Sequence, residues 1–458
     1  MRLNREIFRT YDIRGLANTE ITSELAEEIG KAFVALLARE IPHKPLTIAV
    51  GRDMRESSPA FQQALVAGMI SCGANVVDIG LVSTPAFYFG VGHVKADGGV
   101  MVSASHNPAR YNGFKLTRAN AVPVSGDTGI KTIADLIEAG RAGEAMEAGR
   151  AGVLTSVSGI PALAAEAEIA FVHKTPLKRL KIVADAANGM GAQYMDALFS
   201  RVDADLIRMY WEFDGSFPNH EADPLKDENV RALKAKVKEV KADLGIATDG
   251  DGDRVFFVDN EGETVPPAIV RGLLAQITLR SFPGATICYD IRPGRITQDM
   301  IVEAGGKPAV TRVGHSLIKE QMRATNAVFG GESSGHFFYA MPAGTFEAPV
   351  AAILQMLEEL TRTNKTLADL VRPYKRYAHS GELNFHVKDK ETALKNLKMR
   401  YPDGTLETID GITITYPTFW FNVRASNTES VLRLNLEAVD EKTMVKQRDE
   451  IAHLLQTV

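Results

Sequence analysis

The sequence predicts an α/β chain: three similar α/β domains with mixed sheets, then a smaller α+β C-terminal domain. Three observations predict it. A strand–helix–strand pattern recurs three times, each time running out into a polar, glycine-containing loop. From about Ala378 onward the pattern changes to strands that no longer alternate with helices. The 458 residues also exceed one domain, which takes about 100–200.

Each repeat opens on a short apolar run closed by turn residues. Leu46–Val50 precedes Gly51-Arg52-Asp53, Lys181–Ala184 precedes Asp185 to Gly189, and Thr286–Tyr289 precedes Asp290 to Gly294. Helix-compatible segments follow at Pro59–Ser71, Ala192–Phe199 and Ile296–Ala304. Second apolar runs come at Asn75–Ile79, Asp205–Tyr210 and Pro308–Val313, and third runs at Gly99–Val102, Leu244–Ala247 and Ala327–Phe329. Ligand loops of such sheets sit beyond the carboxyl ends of strands, so three repeats can aim three polar loops at one cleft. The Gly-, Ala- and Ser-rich stretch Gly140–Gly159, part of it helix-compatible, marks the first boundary, and the second falls shortly after Arg254. The third repeat ends in helices at Pro349–Arg362 and near Leu367–Tyr374. The tail carries strands at Glu382–Val387, Phe419–Val423 and Val431–Glu437 and a helix at Glu441–Leu455. The expected domains are 1–150, 151–256, 257–374 and 375–458.

Apolar residues make up 45% and charged residues 24%, a globular balance that excludes a disordered chain. The net charge of −5 argues against a general nucleic-acid binder. Cys72 and Cys288 stand alone and form neither a disulfide framework nor a zinc set. The first dozen residues hold five charges and do not read as a secretory signal. No run approaches the roughly 18 apolar residues of a membrane span. A cytoplasmic protein with neither membrane nor nucleic-acid partner is expected.

The loops carry the chemistry. Asp249, Asp251 and Asp253 alternate with glycines, so three carboxylates can converge on one hard cation. The alternative is a solvated acidic turn. An EF-hand is excluded, because loop positions 6 and 12 hold Arg254 and Asn260; a phosphatase with an aspartyl nucleophile stays open. Ser105-His106-Asn107-Pro108 follows a strand, with Lys115 beyond it. Ser105 is a candidate phosphate carrier, and Lys115 a phosphate contact or proton carrier; taken alone, the segment also reads as an ordinary turn. Gly331 to Gly335 formally matches the G-x-S-x-G nucleophile elbow of hydrolases, but that motif needs a helix after Ser333, and His336–Tyr339 reads as strand. Glu332 and Ser334 are then candidate contacts for sugar hydroxyls, and His336 a candidate acid or base. Arg424-Ala425-Ser426-Asn427-Thr428 suits a phosphate dianion. Arg14, in Tyr11-Asp12-Ile13-Arg14, is another candidate phosphate contact.

Together these motifs resemble the α-D-phosphohexomutase superfamily, specifically its bacterial phosphomannomutase/phosphoglucomutase group, over essentially the whole chain. The resemblance implies four domains around a central cleft, the last one mobile. It implies that Ser105 is the phosphoserine of a catalytic set with His106, Lys115 and His336. It implies that Asp249, Asp251 and Asp253, with Ser105, bind Mg2+. Tyr11, Arg14, Arg254, Arg292, His315, Glu332, Ser334, Arg424, Ser426, Asn427 and Thr428 fall to substrate. The implied reaction interconverts hexose 1-phosphate and hexose 6-phosphate, of mannose or glucose, through a hexose 1,6-bisphosphate that also serves as activator. The expected partner is a small phosphosugar, and the expected assembly a monomer or homodimer. Asn427 resembles the mannose/glucose group, where phosphoglucosamine mutases usually carry Gly. Three departures bear on the sugar: Arg292 where many members have Lys, Ser430 where many have Pro, and Gly344–Glu347 without the usual pair of aspartates. The alternative within the superfamily is a phosphoglucosamine mutase, and the competing classes are a sugar-phosphate phosphatase, a Ser333 hydrolase and a sugar-phosphate binding protein without turnover.

Overall fold

The computed structural model describes residues 3–42, 45–144, 151–172, 176–292, 294–425 and 431–456. The first segment runs β1 (Ile13–Leu16), α1 (Ser23–Glu40), β2 (Thr47–Arg52), α2 (Ser58–Ser71), β3 (Asn75–Leu81), α3 (Thr84–His93), β4 (Gly98–Val102), β5 (Tyr111–Arg118), α4 (Lys131–Glu138) and β6 (Leu154–Ser156). The second runs α5 (Ile160–Val172), β7 (Leu180–Asp185), α6 (Gly191–Phe199), β8 (Ala204–Met209), α7 (Asp227–Val240), β9 (Leu244–Thr248) and β10 (Val255–Asp259). The third has α8 (Pro267–Ser281), β11 (Thr286–Asp290), α9 (Arg295–Glu303), β12 (Lys307–Thr311), α10 (His315–Thr325), β13 (Phe329–Gly331), β14 (Phe337–Met341), β15 (Gly344–Glu347), α11 (Pro349–Thr363) and α12 (Leu367–Val371). The last has β16 (Ala378–His379), β17 (Leu383–Phe385), α13 (Lys390–Arg400), β18 (Thr405–Glu407), β19 (Ile412–Thr415), β20 (Phe419–Ala425), β21 (Leu432–Ala438) and α14 (Glu441–Gln456).

The repeat is real at the level of strand pairing. β2, β7 and β11 are each flanked in parallel by the other two strands of their own repeat: β3 and β4, β8 and β9, β12 and β13. Antiparallel strands extend the first two sheets, β5 beside β4 and β10 beside β9, and β14 pairs antiparallel with β15. The three polar loops therefore leave the carboxyl ends of topologically equivalent strands, β4, β9 and β13, as ligand loops of such sheets do. The C-terminal segment is different in kind. Its strands are antiparallel throughout, in the order β16-β21-β20-β19-β18, over a core of Leu397, Tyr401, Phe421, Leu434 and Ile451.

Contacts gather the chain into two units, Met1–Val265 with Ser334–Ala368, and Pro266–Ser333 with Asp369–Val458. In the first unit α1 lies close on α2 because Gly30 has no side chain; a Cβ there would stand 2.3 Å from the Leu65 carbonyl oxygen. Three readings change. The strand expected at Ala327–Phe329 begins only at Phe329, because Ala327 still caps α10. Asn326 closes that helix at φ 51°, and the Ala327 N–H reaches back to the Met322 carbonyl at 2.9 Å. Within the boundary stretch Gly140–Gly159, given no strand above, residues 154–156 form β6, which pairs with β3; the helix-compatible residues 145–150 lie outside the described residues. The helix α1 lies in a stretch given no element above. It is buried nearly all round from Ala32 to Leu37, so its apolar positions show no clean helical stripe.

One polar contact inside the first unit is costly. Glu168 of α5 is 3% exposed and accepts the Ala351 N–H at 2.9 Å, at the start of α11. No cation pairs with it among the described residues, and burial pushes its carboxyl up to about 8. A raised carboxyl binds more protons in the folded state than in the unfolded one. Stability therefore falls as pH rises from the unfolded value of 4.5 to about 8, by at most about 1.4 kcal/mol per pH unit. In thermal melts Glu168→Gln should gain on the wild type steadily across that window and level off above it; a difference independent of pH would refute this assignment.

Candidate active site

Ser105 sits in the loop after β4, 1% exposed, with a left-handed φ of 51°. That conformation costs a non-glycine residue about 1–2 kcal/mol, so surrounding bonds must hold it. Its N–H donates to Ser103 Oγ at 2.9 Å, and its Oγ donates to Asp249 Oδ2 at 3.0 Å and lies 3.2 Å from His106 Nδ1. The two loops touch through bare backbone: a Cβ on Gly250 would stand 2.6 Å from the Ser105 carbonyl oxygen. Burial, then Arg254 and Arg14, keep His106 neutral, well below the usual histidine range.

Asp249, Asp251 and Asp253 follow β9, are at most 3% exposed, and each brings an oxygen within 4.8 Å of the other two. Lys115 of β5 reaches in from below, with Nζ 2.7 Å from Asp251 Oδ2 and 2.6 Å from Asp253 Oδ2. Burial works against the Lys115 charge, but Asp251 and Asp253 overcome it and hold its proton well above the ordinary lysine range. Burial likewise opposes the Asp253 carboxylate, and Lys115 and His336 bring it well below the usual range. Asp249 is pushed the other way, upward, by burial and by its neighbours Asp253 and Asp251. The Lys115 ammonium, even with the Arg254 guanidinium 3.6 Å from Asp249, leaves three carboxylates short of positive charge. Asp251 Oδ1 is buried with no hydrogen-bond partner among the described residues. This all-oxygen set with a spare inward lone pair fits a hard divalent cation.

Arg254 closes the cluster, its N–H on Asp249 Oδ1 at 3.2 Å and its Nε 3.4 Å from His336 Nε2. His336 Nε2 is also 3.1 Å from Asp253 Oδ1, and its Nδ1 is 2.9 Å from Ser334 Oγ. Its ring stacks on Phe338. Glu347, fully buried, completes a group with Asp253 and His336; one carboxylate therefore remains where the sequence lacks the aspartate pair. Arg14 donates to Asn107 Oδ1 at 2.8 Å and pairs with Asp12. Tyr11 lies half-buried beside that pair.

The other candidates belong to the second unit. Arg292 binds Asp290 Oδ2 through Nε at 2.6 Å and stands 3.9 Å from Glu332. Glu332 Oε1 accepts the Gly314 N–H at 2.9 Å, at the start of the helix opened by His315. Ser333 donates to Asp290 Oδ1 at 3.1 Å, and the chain runs on into strand β14, so no nucleophile elbow forms. Arg424 of β20 faces Arg433 of β21 directly across the ladder, an unfavourable like-charge pair. Glu382 bridges the two, 2.8 Å from Arg424 Nη2 and 3.3 Å from Arg433 Nη1. Burial, then Arg292, lower the proton affinity of Arg424, whereas Arg292 and Arg424 hold Glu382 below the carboxylate range against its burial. Two facing guanidinium groups share Glu382, and Arg292, itself bound to Asp290, acts on Glu382 and Arg424 through its charge, an arrangement suited to an anion. Ser426, Asn427 and Thr428 lie outside the described residues.

Four participants escaped sequence reasoning. Thr84 binds Asp251 Oδ2 through its hydroxyl at 2.6 Å and the Asp251 carbonyl through its N–H at 3.0 Å. Its local signal is the Ser83-Thr84-Pro85 helix start. Arg55 follows Asp53 after β2 and is buried beneath the Ser105 loop. Glu347 and Glu382 carry no local signal.

Comparison with known proteins agrees with this geometry. Models of the phosphoglucomutase/phosphomannomutase alpha/beta/alpha domains I, II and III match residues 5–144, 162–262 and 268–377, and that of the C-terminal domain matches 382–454. The chain is 39% identical to phosphohexose mutases of Xanthomonas campestris pv. campestris, over 98% of both chains. It is 36% identical to a phosphomannomutase/phosphoglucomutase of Pseudomonas syringae pv. tomato, over 94% of this chain and 91% of that one. The crystal structure of a phosphoglucomutase/phosphomannomutase family protein from Burkholderia thailandensis superposes with a TM-score of 0.89 at 31% identity, covering 99% of this chain and 97% of that one. With all four domain types in order and likeness running from end to end, the chain belongs to the phosphoglucomutase/phosphomannomutase family.

Proposed function

We propose that the protein interconverts hexose 1-phosphate and hexose 6-phosphate, of mannose or glucose, through a phosphorylated Ser105 and a hexose 1,6-bisphosphate. The observation that carries this is the bond from Ser105 Oγ to Asp249 Oδ2 at 3.0 Å. It sets a candidate phosphoryl carrier directly on a cation-competent carboxylate cluster. The names of the relatives, phosphohexose mutases and phosphomannomutase/phosphoglucomutase, support both the reaction and the sugars.

In the forward half-reaction the O–P bond at Ser105 breaks as a new O–P bond forms to the free hydroxyl of the sugar phosphate. The sugar hydroxyl loses its proton, and Ser105 Oγ gains one. The second half-reaction returns the other phosphoryl group to Ser105. Asp249, Asp251, Asp253 and Ser105 would hold a magnesium ion, which would supply charge neutralisation for the transfer. Asp251 and Asp253 hold the Lys115 proton well above the ordinary lysine range, and Lys115 serves as a phosphate contact or a proton carrier. The neutral His106, 3.2 Å from Ser105 Oγ, exchanges the serine proton. Arg14 and Arg254 contact the phosphoserine or the transferring phosphate. His336 and Ser334, with Glu332, contact the sugar, and Arg424 with Arg292 takes the phosphate that is not reacting. The bisphosphate serves as the activator that loads Ser105, and the working assembly is a monomer or homodimer.

Conversion of glucose 1-phosphate and mannose 1-phosphate to their 6-phosphates, with Mg2+ and a trace of glucose 1,6-bisphosphate, tests the reading. Isomer without release of inorganic phosphate is expected; phosphate release without isomer means a phosphatase. Ser105→Ala should fold and lose at least about 10³-fold in turnover, and a variant still active at a tenth of the wild-type rate would end the carrier role. Stripping divalent cations with EDTA should abolish turnover and excess Mg2+ restore it, whereas EDTA-resistant activity would remove the metal from the scheme. Arg424→Ala should raise KM about tenfold or more with a smaller change in kcat. An unchanged KM would take Arg424 out of the phosphate site.

A further inference from the structure

We infer that Arg55 is a positioning residue: it fixes the backbone of the loop that carries Ser105, and through it the direction of the Ser105 hydroxyl, without touching substrate. The inference rests on the mutase reading and adds a residue that neither the motifs nor the relatives assign.

The guanidinium is 1% exposed, and its five N–H bonds are all used. Nη2 donates to the carbonyls of Ser105 at 2.7 Å and Asn107 at 2.6 Å. Nη1 donates to the carbonyls of Pro108 and Tyr111, both at 3.0 Å, and Nε to Asp53 Oδ2 at 3.2 Å. One planar group thus collects four carbonyls from a single loop. The loop is the one in which Ser105 stands at φ 51°, a backbone that needs external restraint. With no donor left over, Arg55 has nothing to offer a substrate phosphate, and this separates it from Arg14, Arg254 and Arg424.

Arg55 is itself held. Asp53, fully buried, accepts the Arg55 N–H at 3.0 Å and the Ser58 hydroxyl at 2.6 Å, and donates its own N–H to Val102 at the end of β4. On the far side the guanidinium carbon lies 5.2 Å from the centre of the Phe217 ring. The third repeat builds the same device independently. Arg271, fully buried and paired with Asp290, donates to the Gly331 carbonyl at 3.3 Å, where β13 ends and opens into the loop of Ser333. In two repeats out of three, then, an aspartate at the end of the first strand orients an arginine onto the loop after the third.

Lysine offers three donors on a point charge and cannot span four carbonyls. The test compares wild type, Arg55→Lys and Arg55→Ala in the glucose 1-phosphate assay, with the folded fraction measured by thermal melt and the phosphate on Ser105 by intact mass after treatment with glucose 1,6-bisphosphate. The lysine variant, which keeps the charge beside Asp53, should fold and lose on the order of 10²-fold in kcat, with KM changed by less than about threefold. The alanine variant should lose at least as much and regain part of it with millimolar guanidinium, which leaves wild type unaffected. A lysine variant whose kcat per folded molecule lies within about threefold of wild type, or whose loss falls in KM alone, overturns the positioning role while the mutase reading stands. A wild-type protein that takes no phosphoryl group on Ser105 overturns the mutase reading, and this inference with it.

Discussion

Three buried carboxylates that cannot ionise together without help are the constraint around which the first unit is organised. Asp249, Asp251 and Asp253 are fixed by the loop after β9, so their repulsion has to be met by what surrounds them. Lys115 arrives from β5, Arg254 from the same loop, and His336 from the segment leading into β14. The proton affinities record an incomplete match: Asp253 is pulled down by the cations it touches, while Asp249 is pushed up by burial and its acidic neighbours. The remaining deficit falls on the side where Ser105 donates its hydroxyl. A phosphoryl group there brings negative charge to a place already short of positive charge. Under the proposed reading, a phosphorylated Ser105 therefore calls for a further cation.

The triplicated architecture explains how residues so far apart in sequence reach one another. Each repeat ends its first strand with a buried aspartate, Asp53, Asp185 and Asp290, none more than 2% exposed. Each of these takes a basic partner: Arg55, His220, and Arg271 with Arg292. The position is occupied by scaffold in all three, and the chemistry is displaced to the loop after the third strand. Copies of one supersecondary unit thus supply a serine, a carboxylate cluster and a glutamate-serine segment from equivalent places. The frame that holds each loop is inherited, and the loop is free to differ.

How much was legible in the sequence follows from how local each interaction is. The aspartate cluster could be read because its members are two residues apart, and the Ser105 loop because turn residues follow an apolar run. Most strands of the repeats could be read because buried parallel strands are continuous apolar runs. Arg55 could not be assigned, since its partners from Ser105 to Tyr111 lie about fifty residues away, and no local pattern says which carbonyls a buried guanidinium will meet. Glu382 is a lone acid before a short strand, and its meaning appears only when Arg424 and Arg433 are found opposite each other. Arg292 reads from sequence as a substrate contact; in the fold its strongest bond is to Asp290, and any role toward phosphate is shared with that scaffold. The late start of β13 has an equally local cause, a left-handed helix cap at Asn326, which an apolar run cannot reveal.

The charge clusters of the two units differ in sign. The first unit holds an acidic cluster short of cations. The second holds Arg424 and Arg433 with Glu382 as their shared counter-ion, and Arg292 on Asp290. A sugar bisphosphate has two phosphates with opposite needs at any moment, one being transferred and one merely held. The transferring phosphate needs a nucleophile, a metal-competent carboxylate set and proton carriers, and these are the groups assembled around Ser105. The held phosphate needs fixed positive charge and no nucleophile. Glu382 keeps the two facing arginines from repelling each other. Because the 1-phosphate and the 6-phosphate must each take both roles in one catalytic cycle, neither site can be specific for a position on the ring. Specificity for the sugar then has to come from contacts to its hydroxyls, made by single hydrogen bonds in place of charge.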